Sequence, residues 1–238
     1  MTSSPRRQRV RDATLRELIS VSREILTSQG VDGLTIRAVA REMGMTPPGI
    51  YRYFDSHRKL MDAVIIDTLE ELTEYISSTI SEVDKADTAG RLIVASRALR
   101  HWAVEHAQEF QLALVASSPE EEDESVGEAR RQVGGLFGDV FVDVWHDYGL
   151  SASVPGTISA DTEALADRLL ERLQIPLPST QAAVTFTRCW LRLFGVVCVE
   201  SLGLARAMGD HGGALFEAEL ADLVRMLGLP ESVLNTAR

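Results

Sequence analysis

Residues 33–60 read GLTIRAVAREMGMTPPGIYRYFDSHRKL, and this stretch decides how the rest of the chain is interpreted. Its first half repeats apolar residues at the spacing of one buried helical face, which predicts a helix of about two turns. These residues are Ile36, Val39, Ala40 and Met43. Gly44 follows them and suits the left-handed conformation that ends a helix.

A second short helix is predicted directly after this glycine. Thr46 suits its N-cap, and Pro47 suits its first position, where no backbone N–H is needed. The helix then continues through residues 49–54 and ends near Asp55. Two short helices joined by a tight glycine turn have the spacing of a helix-turn-helix, whose second helix enters a DNA groove.

The same stretch resembles the DNA-binding domain of the TetR family of transcriptional regulators. The pattern of that family runs from a Thr through an Ala to a Gly, then to a Ser or Thr, a Tyr, an aromatic pair and a Ser. The matching residues are Thr35, Ala40, Gly44, Thr46, Tyr51, Tyr53, Phe54 and Ser56. The matches stay in register from Leu15 to Leu60, which makes the resemblance specific.

Helical patterns continue through the remainder of the chain, so the predicted fold class is all-α. We expect an N-terminal three-helix bundle with a helix-turn-helix, plus a larger C-terminal helical domain for ligand binding and dimerisation. The DNA-binding domain, with its basic N-terminal arm, is placed at residues 1–60, with the helix-turn-helix at 34–54. The effector-binding and dimerisation domain is placed at residues 61–238. A long helix predicted from about His57 to Val83 links the two.

The charge of the chain is unevenly distributed. The whole sequence carries a net charge of −11, which by itself argues against nucleic acid as a partner. Residues 1–60, however, hold eleven Lys or Arg against six Asp or Glu, whereas the remainder is strongly acidic. Binding to DNA depends on a local cationic face rather than on total charge. The distribution therefore indicates that the helix-turn-helix region contacts double-stranded DNA.

Residues 1–11 form a basic segment with four arginines and no acid. This segment is either a solvated, disordered terminus or an arm that lies along the minor groove beside the main site. Together with the resemblance, it yields a set of candidate DNA-binding residues. They are Arg6, Arg7, Arg9, Thr35, Arg37, Thr46, Pro47, Pro48, Gly49, Tyr51, Arg52, Tyr53, His57 and Arg58. Within this set, Arg52 could read guanine or bind phosphate, and Gly49 permits a close approach to the duplex.

One position departs from the family pattern. A Lys that contacts phosphate usually follows the position of Ser56, but His57 stands there in this chain. Neutral His is a weaker phosphate ligand than Lys. Either Arg58 compensates, or the affinity for DNA becomes mildly dependent on pH.

The last two predicted helices, at residues 181–204 and 214–227, are the most apolar of the chain. The first has no polar face and is expected to be buried on every side. The Trp190–Gly195 stretch is weakly similar to a TetR subgroup with Trp-His-Gly nearby, although Phe194 replaces the His. In the family these helices form a four-helix dimer bundle. The candidate dimer residues are Trp190, Phe194, Val197, Leu215, Phe216, Leu220 and Leu223.

A two-fold dimer would place two recognition helices about 34–36 Å apart, which matches successive major grooves of a palindromic operator. The resemblance implies a homodimeric repressor that a small apolar or aromatic effector releases by shifting the helix at residues 60–83. The candidate ligand-binding residues are Trp102, His106, Phe110, Phe137, Phe141, Trp145 and Phe186. Aromatic residues at helical spacing are also typical of a core, and this alternative stays open.

Other functions are weighed against this one. His101 and Glu105 could form an acid/base pair, but no catalytic, phosphate-loop or metal-binding motif accompanies them, so neither an enzyme nor a cofactor is predicted. A ligand-independent DNA-binding protein, or an activator whose C-terminal domain only dimerises, is the main alternative. A cavity of a few hundred Å³ among the candidate residues would favour a ligand. The chain has no uncharged apolar run of 18 residues and no signal peptide, which favours a cytoplasmic protein.

Overall fold

The computed structural model describes residues 5–115, 123–150, 159–204 and 212–236. Within these residues the chain is helical and contains no strand, which confirms the all-α prediction. The helices are α1 (Pro5–Gly33), α2 (Ile36–Glu42), α3 (Pro47–Ile50), α4 (His57–Ser81), α5 (Thr88–Glu105), α6 (Ala107–Phe110), α7 (Glu124–Asp147), α8 (Ala160–Leu173), α9 (Thr180–Ser201) and α10 (Gly212–Leu227). A π-helical turn at Gln111–Val115 follows α6, and a 3₁₀ turn at Glu231–Asn235 follows α10.

The chain divides into two compact units. The first comprises Met1–Leu69 and Gln108–Val126, and the second comprises Glu70–Ala107 and Gly127–Arg238. The first unit therefore contains α1 to α3, the first half of α4, and a segment from the middle of the chain. The acidic loop predicted around residues 119–125 and the loops predicted at 150–157 and 209–213 lie largely outside the described residues.

The first helix begins earlier than the basic composition of its N-terminus suggests. α1 starts at Pro5, so the described part of the basic segment is helical, which disagrees with the disordered alternative. Proline suits the first position of a helix, and the Arg, Gln and Leu residues that follow are good helix formers. The helix is interrupted at Gly30, whose φ of 71° and ψ of −177° are non-helical.

The apolar stripes of α1 to α4 meet in the core of the first unit. Leu18 and Leu26 of α1, Val39 of α2, Ile50 of α3 and Leu60 of α4 have no solvent exposure. The spacing that predicts one buried face for each helix is therefore confirmed in this unit. Packing on this core, rather than helix propensity, holds helices as short as α2 and α3 in place.

The second unit is built around α9, which packs against α5, α8 and α10. The Ile175 side chain packs closely against the backbone of α7 at Gly138. An added Cβ there would lie 2.5 Å from Ile175, in the segment between α8 and α9. The neighbour is the Ile175 side chain rather than another backbone, and a Cβ at Gly135 would meet nothing within 4 Å.

α9 is long and apolar enough to cross a membrane by length and composition alone. It packs among the helices of the second unit, as the core helix of a globular domain does. The prediction that it is buried on every side is wrong, because Leu191 is 52% exposed and Gly195 is exposed as well. α9 therefore presents one apolar face that the described residues of its own unit leave uncovered.

Candidate nucleic-acid interface

The turn between α2 and α3 follows from a few local hydrogen bonds. The hydroxyl of Thr35 accepts a hydrogen bond from the Ala38 N–H at 3.1 Å and caps the start of α2. Gly44 adopts a φ of 61°, the left-handed region that a side chain disfavours. The N–H of Met45 then donates to the Ala40 carbonyl at 2.8 Å, which turns the chain toward α3.

The start of α3 leaves a hydroxyl available to a partner. Thr46 occupies the N-cap position as predicted, but its side chain makes no capping hydrogen bond. Pro47 and Pro48 have no N–H, and the N–H of Gly49 already donates to the Thr46 carbonyl at 2.8 Å. The side chain therefore has no free backbone donor to cap, and its exposed hydroxyl can serve a phosphate or a base instead.

The recognition segment, residues 46–54, continues beyond Ile50 as a turn. The N–H groups of Tyr53 and Phe54 hold this turn, because both donate to the Ile50 carbonyl. Phe54 is 5% exposed and belongs to the core, as predicted. Most of the candidate DNA-binding residues are exposed. They are Arg6, Arg7, Arg9, Thr35, Arg37, Thr46, Pro47, Pro48, Tyr51, Arg52, His57 and Arg58, while Gly49 and Tyr53 are half-buried.

The two residues that begin α4 have partners within the first unit. His57 Nε2 lies 2.6 Å from the Leu34 carbonyl, and since a carbonyl only accepts, this nitrogen is the donor. Arg58 donates through Nε to Asp62 at 3.0 Å. His57 therefore ties the start of α4 to the turn before α2, and Arg58 neutralises a buried carboxylate. These contacts weaken the interpretation that either side chain replaces the phosphate-binding Lys of the family.

Lys59 also has an acidic partner. The hydrogen bond from Lys59 to Asp123 is the main cause that raises the pKa of Lys59 and lowers the pKa of Asp123. Lys59 is exposed and Asp123 is only half-buried, so the pair contributes little to stability. Lys59 keeps its positive charge at neutral pH, but the Asp123 carboxylate partly neutralises that charge.

Arg23 forms the best-connected ion pair of the first unit. Its Nε donates to Glu109 of α6 at 2.8 Å, and its Nη1 donates to Asp67 of α4 at 3.0 Å. The Glu109 side chain is only 6% exposed. Arg23 therefore joins α1, α4 and α6 through one guanidinium group. Its Nε and Nη1 are directed at carboxylates and not at the DNA-binding surface.

An apolar cavity lies in the second unit. Its volume is about 40 Å³. Three of the candidate ligand residues line it, namely Phe137, Phe141 and Phe186. The other lining residues are Leu92, Ile93, Ser96, Cys189, Trp190, Leu193, Leu220, Leu223, Val224, Leu227 and Leu229. Trp190, Leu220 and Leu223, which the sequence assigns to a dimer interface, thus face this cavity.

The remaining candidate ligand residues lie elsewhere. Trp102 and His106 stack on each other with ring centroids 4.6 Å apart, and Trp145 lies beside Phe141 at 5.9 Å without lining the cavity. Phe110 is fully buried in the core of the first unit. The Trp102 indole N–H is buried and has no hydrogen-bond partner among the described residues. The sequence could not separate these residues from the cavity set, because all are aromatic and at helical spacing.

The candidate dimer residues also fall into two groups. Four of them are at most 5% exposed within one protomer, namely Val197, Phe216, Leu220 and Leu223. A residue buried in its own protomer has little surface to offer a partner, so these four residues are not carried into the interface proposed below. Leu215 is 46% exposed, and Trp190 and Phe194 are half-buried. Leu191 and Leu202 are exposed on the same part of the chain and were missed.

An exposed set of hydroxyl, aromatic and guanidinium groups on the second of two glycine-linked helices defines a helix-turn-helix DNA-binding protein. Comparison with known proteins specifies the class further. A family model described as bacterial regulatory proteins of the tetR family matches residues 18–64. A second, described as a tetracyclin repressor-like C-terminal domain, matches residues 92–223, more than half of the chain. The chain therefore belongs to the TetR family and is a DNA-binding transcriptional regulator, not an enzyme.

Similar proteins match nearly the whole chain. The HTH-type transcriptional regulator Rv1816 of Mycobacterium tuberculosis is 26% identical over 234 residues, which cover 93% of this chain and 95% of that protein. The crystal structure of SCO4313 has a TM-score of 0.68 at 25% identity and covers 94% of this chain and 100% of that one. RolR in complex with resorcinol shares the fold, with a TM-score of 0.57 at 16% identity over 96% of this chain and 95% of that one.

Proposed function

We propose that the protein is a homodimeric repressor that binds a palindromic operator and is released from it by a small apolar effector. The observation that carries this proposal is the exposed recognition segment around Thr46, Tyr51 and Arg52, within the net-positive residues 1–60. Such a surface binds phosphates through charge and hydroxyls and reads bases through side chains. A regulator of this kind acts in the cytoplasm, where the chromosome is accessible. The DNA-binding and effector-binding parts are assigned to residues 1–60 and 61–238.

The uncovered face of α9 supports dimerisation. The residues of this face recur at helical spacing and are exposed or half-buried in the protomer. They are Leu191, Phe194, Gly195, Cys198 and Leu202. Cys198 is a free thiol whose pKa burial raises to about 11, so it acts as an apolar group at neutral pH. Apolar stripes of this kind typically pair with another copy or a partner helix. We assign this stripe, extended by Leu215 of α10, to the dimer interface.

Introducing a charge into the stripe is expected to weaken the dimer. The Leu191→Glu variant would bury two carboxylates at a two-fold interface, which raises the dimer dissociation constant by tenfold or more, or about 1.4 kcal/mol. Leu165→Glu is the matched control, because Leu165 is a comparably exposed leucine of α8 outside the stripe. Sedimentation velocity over a concentration series measures both variants. Equal association of the two variants would contradict the assignment.

The cavity supports an apolar or aromatic effector. Its walls are aromatic and aliphatic, with Ser96 and Cys189 as the polar points. At about 40 Å³ it is far smaller than the several hundred Å³ of most ligand pockets, so an effector must displace side chains to enter. Trp190 is suited to such a movement because it is half-buried and stacks on Phe194 at 5.6 Å. RolR, which shares this fold, was solved with resorcinol, a small aromatic molecule.

The effector is expected to act on DNA affinity through α4. A ligand that binds better to one arrangement of the C-terminal helices shifts the population toward that arrangement. Within the first unit, α4 is held to α1 by the Arg23–Asp67 pair and to the turn before α2 by His57. A displacement of α4 would therefore carry the recognition segment with it. The alternative, a ligand-independent regulator or an activator, predicts that aromatic compounds leave DNA affinity unchanged.

The proposed function is tested by letting the full chain select its site from a random-sequence library of duplexes. The best-binding sequence, called the selected duplex below, is expected to be an inverted repeat whose half-sites are centred about 10 bp apart, or a multiple of that distance. The DNA upstream of the protein's own gene is tested for the same repeat. Selection of a single asymmetric site would contradict a dimeric reader. Titration of the complex with resorcinol and phenol then tests the release.

A further inference from the structure

The N-terminal two turns of α1 project beyond the core of the first unit. Residues 6–13 are all exposed, and the first fully buried residue of the helix is Leu18. These two turns extend a helix that is already nucleated on the core, and their own side chains gain nothing from packing. What this segment carries is charge, since Arg6, Arg7, Arg9 and Arg11 lie within it. Charge, and not packing, therefore distinguishes this part of α1 from the rest of the helix.

The four arginines do not point in one direction. At about 100° per residue, Arg7 and Arg11 lie about 40° apart on the helix. Arg6, Arg9 and also Arg16 lie about 140–160° away from Arg11, on the opposite side. The core-facing stripe of α1, which includes Leu18, Ser22 and Ile25, is centred on the same direction as Arg11. Arg7 and Arg11 thus continue the inward-facing stripe past the point where the core ends.

One contact fixes where this stripe points. The Arg11 guanidinium carbon lies 5.5 Å from the centroid of the Tyr53 ring, which is a cation–π contact. Tyr53 is half-buried and follows the recognition helix, between Arg52 and the buried Phe54. The Arg7 and Arg11 face is therefore turned toward the recognition segment. If another part of the protein covered this face, apolar residues would pack there. Arginine instead suits a face that contacts phosphate.

We infer that Arg7 and Arg11 form a second phosphate-binding face, which acts beside the recognition segment, and that Arg6, Arg9 and Arg16 contribute little to DNA binding. Stacking on Tyr53 holds the Arg11 guanidinium in a defined position and leaves N–H groups at its edge for phosphate oxygens. The inference revises the sequence-based set, which includes Arg6 and Arg9 and omits Arg11. It rests on the DNA-binding surface proposed above and adds a defined face to it.

The test compares two double variants with the same change in charge. R7A/R11A and R6A/R9A each replace two arginines of the same helical turns by a good helix former, so neither is expected to lose the fold. The affinity of each full-length variant for the selected duplex is measured by fluorescence anisotropy at several salt concentrations. R7A/R11A is expected to reduce the slope of log affinity against log salt by about 1.8 per protomer and to weaken binding on the order of tenfold. R6A/R9A is expected to change the slope by less than half as much.

Equal slopes for the two double variants would overturn the assignment, because general electrostatic attraction does not depend on the helical face. An unchanged slope for both would also overturn it. Arg11→Lys keeps the charge without the planar stacking group, so it should retain most of the slope but lose part of the affinity that Arg11 contributes. The proposed function fails separately, if wild-type protein shows no preference for the selected duplex over a scrambled one. The slope comparison can still be made on the scrambled duplex.

Discussion

Replacing Arg52 by Ala is expected to lower the affinity for the selected duplex by roughly 10- to 100-fold, since one lost base or phosphate contact costs about 1–3 kcal/mol. Arg52 is exposed on the recognition segment, next to Tyr51, which is 49% exposed. The fold should not change, because Arg52 contributes nothing to the core. Anisotropy titration at fixed salt measures the affinity, and the thermal midpoint checks the fold.

The control for this prediction is Arg168→Ala, which removes the same charge from an exposed position on α8 in the second unit. It is expected to change the affinity less than threefold, or by about 0.6 kcal/mol. If Arg52 reads a guanine, the variant should also lose its discrimination at one base pair of the selected duplex. If it binds phosphate, discrimination is retained and affinity falls for every sequence. An affinity equal to that of the Arg168 variant would remove Arg52 from the interface.

Replacing Arg23 by Met is expected to lower the stability of the protein by about 3–5 kcal/mol, because it leaves the buried Glu109 carboxylate without its cation. Glu109 is 5% exposed, and the guanidinium of Arg23 is the only group among the described residues recorded in an ion pair with it. Arg41→Met is the matched control, since Arg41 pairs with Glu42 on the surface, where both side chains are more than half exposed. That variant should change stability by no more than about 0.5 kcal/mol.

Thermal midpoints measure the stability of the two variants. The protein concentration is kept the same for both, because dimerisation makes the midpoint depend on concentration. The double variant Arg23→Met/Glu109→Leu should recover much of the loss, as removing both charges leaves no unpaired group. A midpoint for Arg23→Met as high as that of Arg41→Met would mean that Arg23 does not hold α1, α4 and α6 together. The proposed coupling through α4 would then lose its strongest link within the first unit.

The sequence predicted both helices and the turn of the helix-turn-helix because their signals are local, but α3 ends at Ile50 and not near Asp55 as predicted. The apolar spacing of α2, the glycine at position 44, and Ser56, which accepts a hydrogen bond from the Lys59 N–H, all act within one helical turn. Such features depend little on the rest of the fold. Phe54 is buried at the end of the turn that follows α3.

The parts that the sequence could not predict depend on distant residues. Arg23 and Glu109 are 86 positions apart, so no local pattern indicates that they pair. One side of α9 lines the cavity, and another side forms the proposed dimer interface. Because α9 has no polar side, its sequence does not indicate which apolar residues belong to which side. Leu191 and Val197 look alike in the sequence, yet one is 52% exposed and the other is fully buried. Only the packing of α5, α8 and α10 around α9 separates them.

The central claim is that two recognition segments of one dimer bind two half-sites at a fixed separation. The most direct test measures the affinity of the full chain for the selected duplex before and after inserting about 5 bp, half a helical turn, between the half-sites. The account predicts that the insertion rotates one half-site to the opposite side of the duplex and reduces the affinity to that of a scrambled duplex. An affinity unchanged by the insertion would contradict it, because binding would then not require both half-sites.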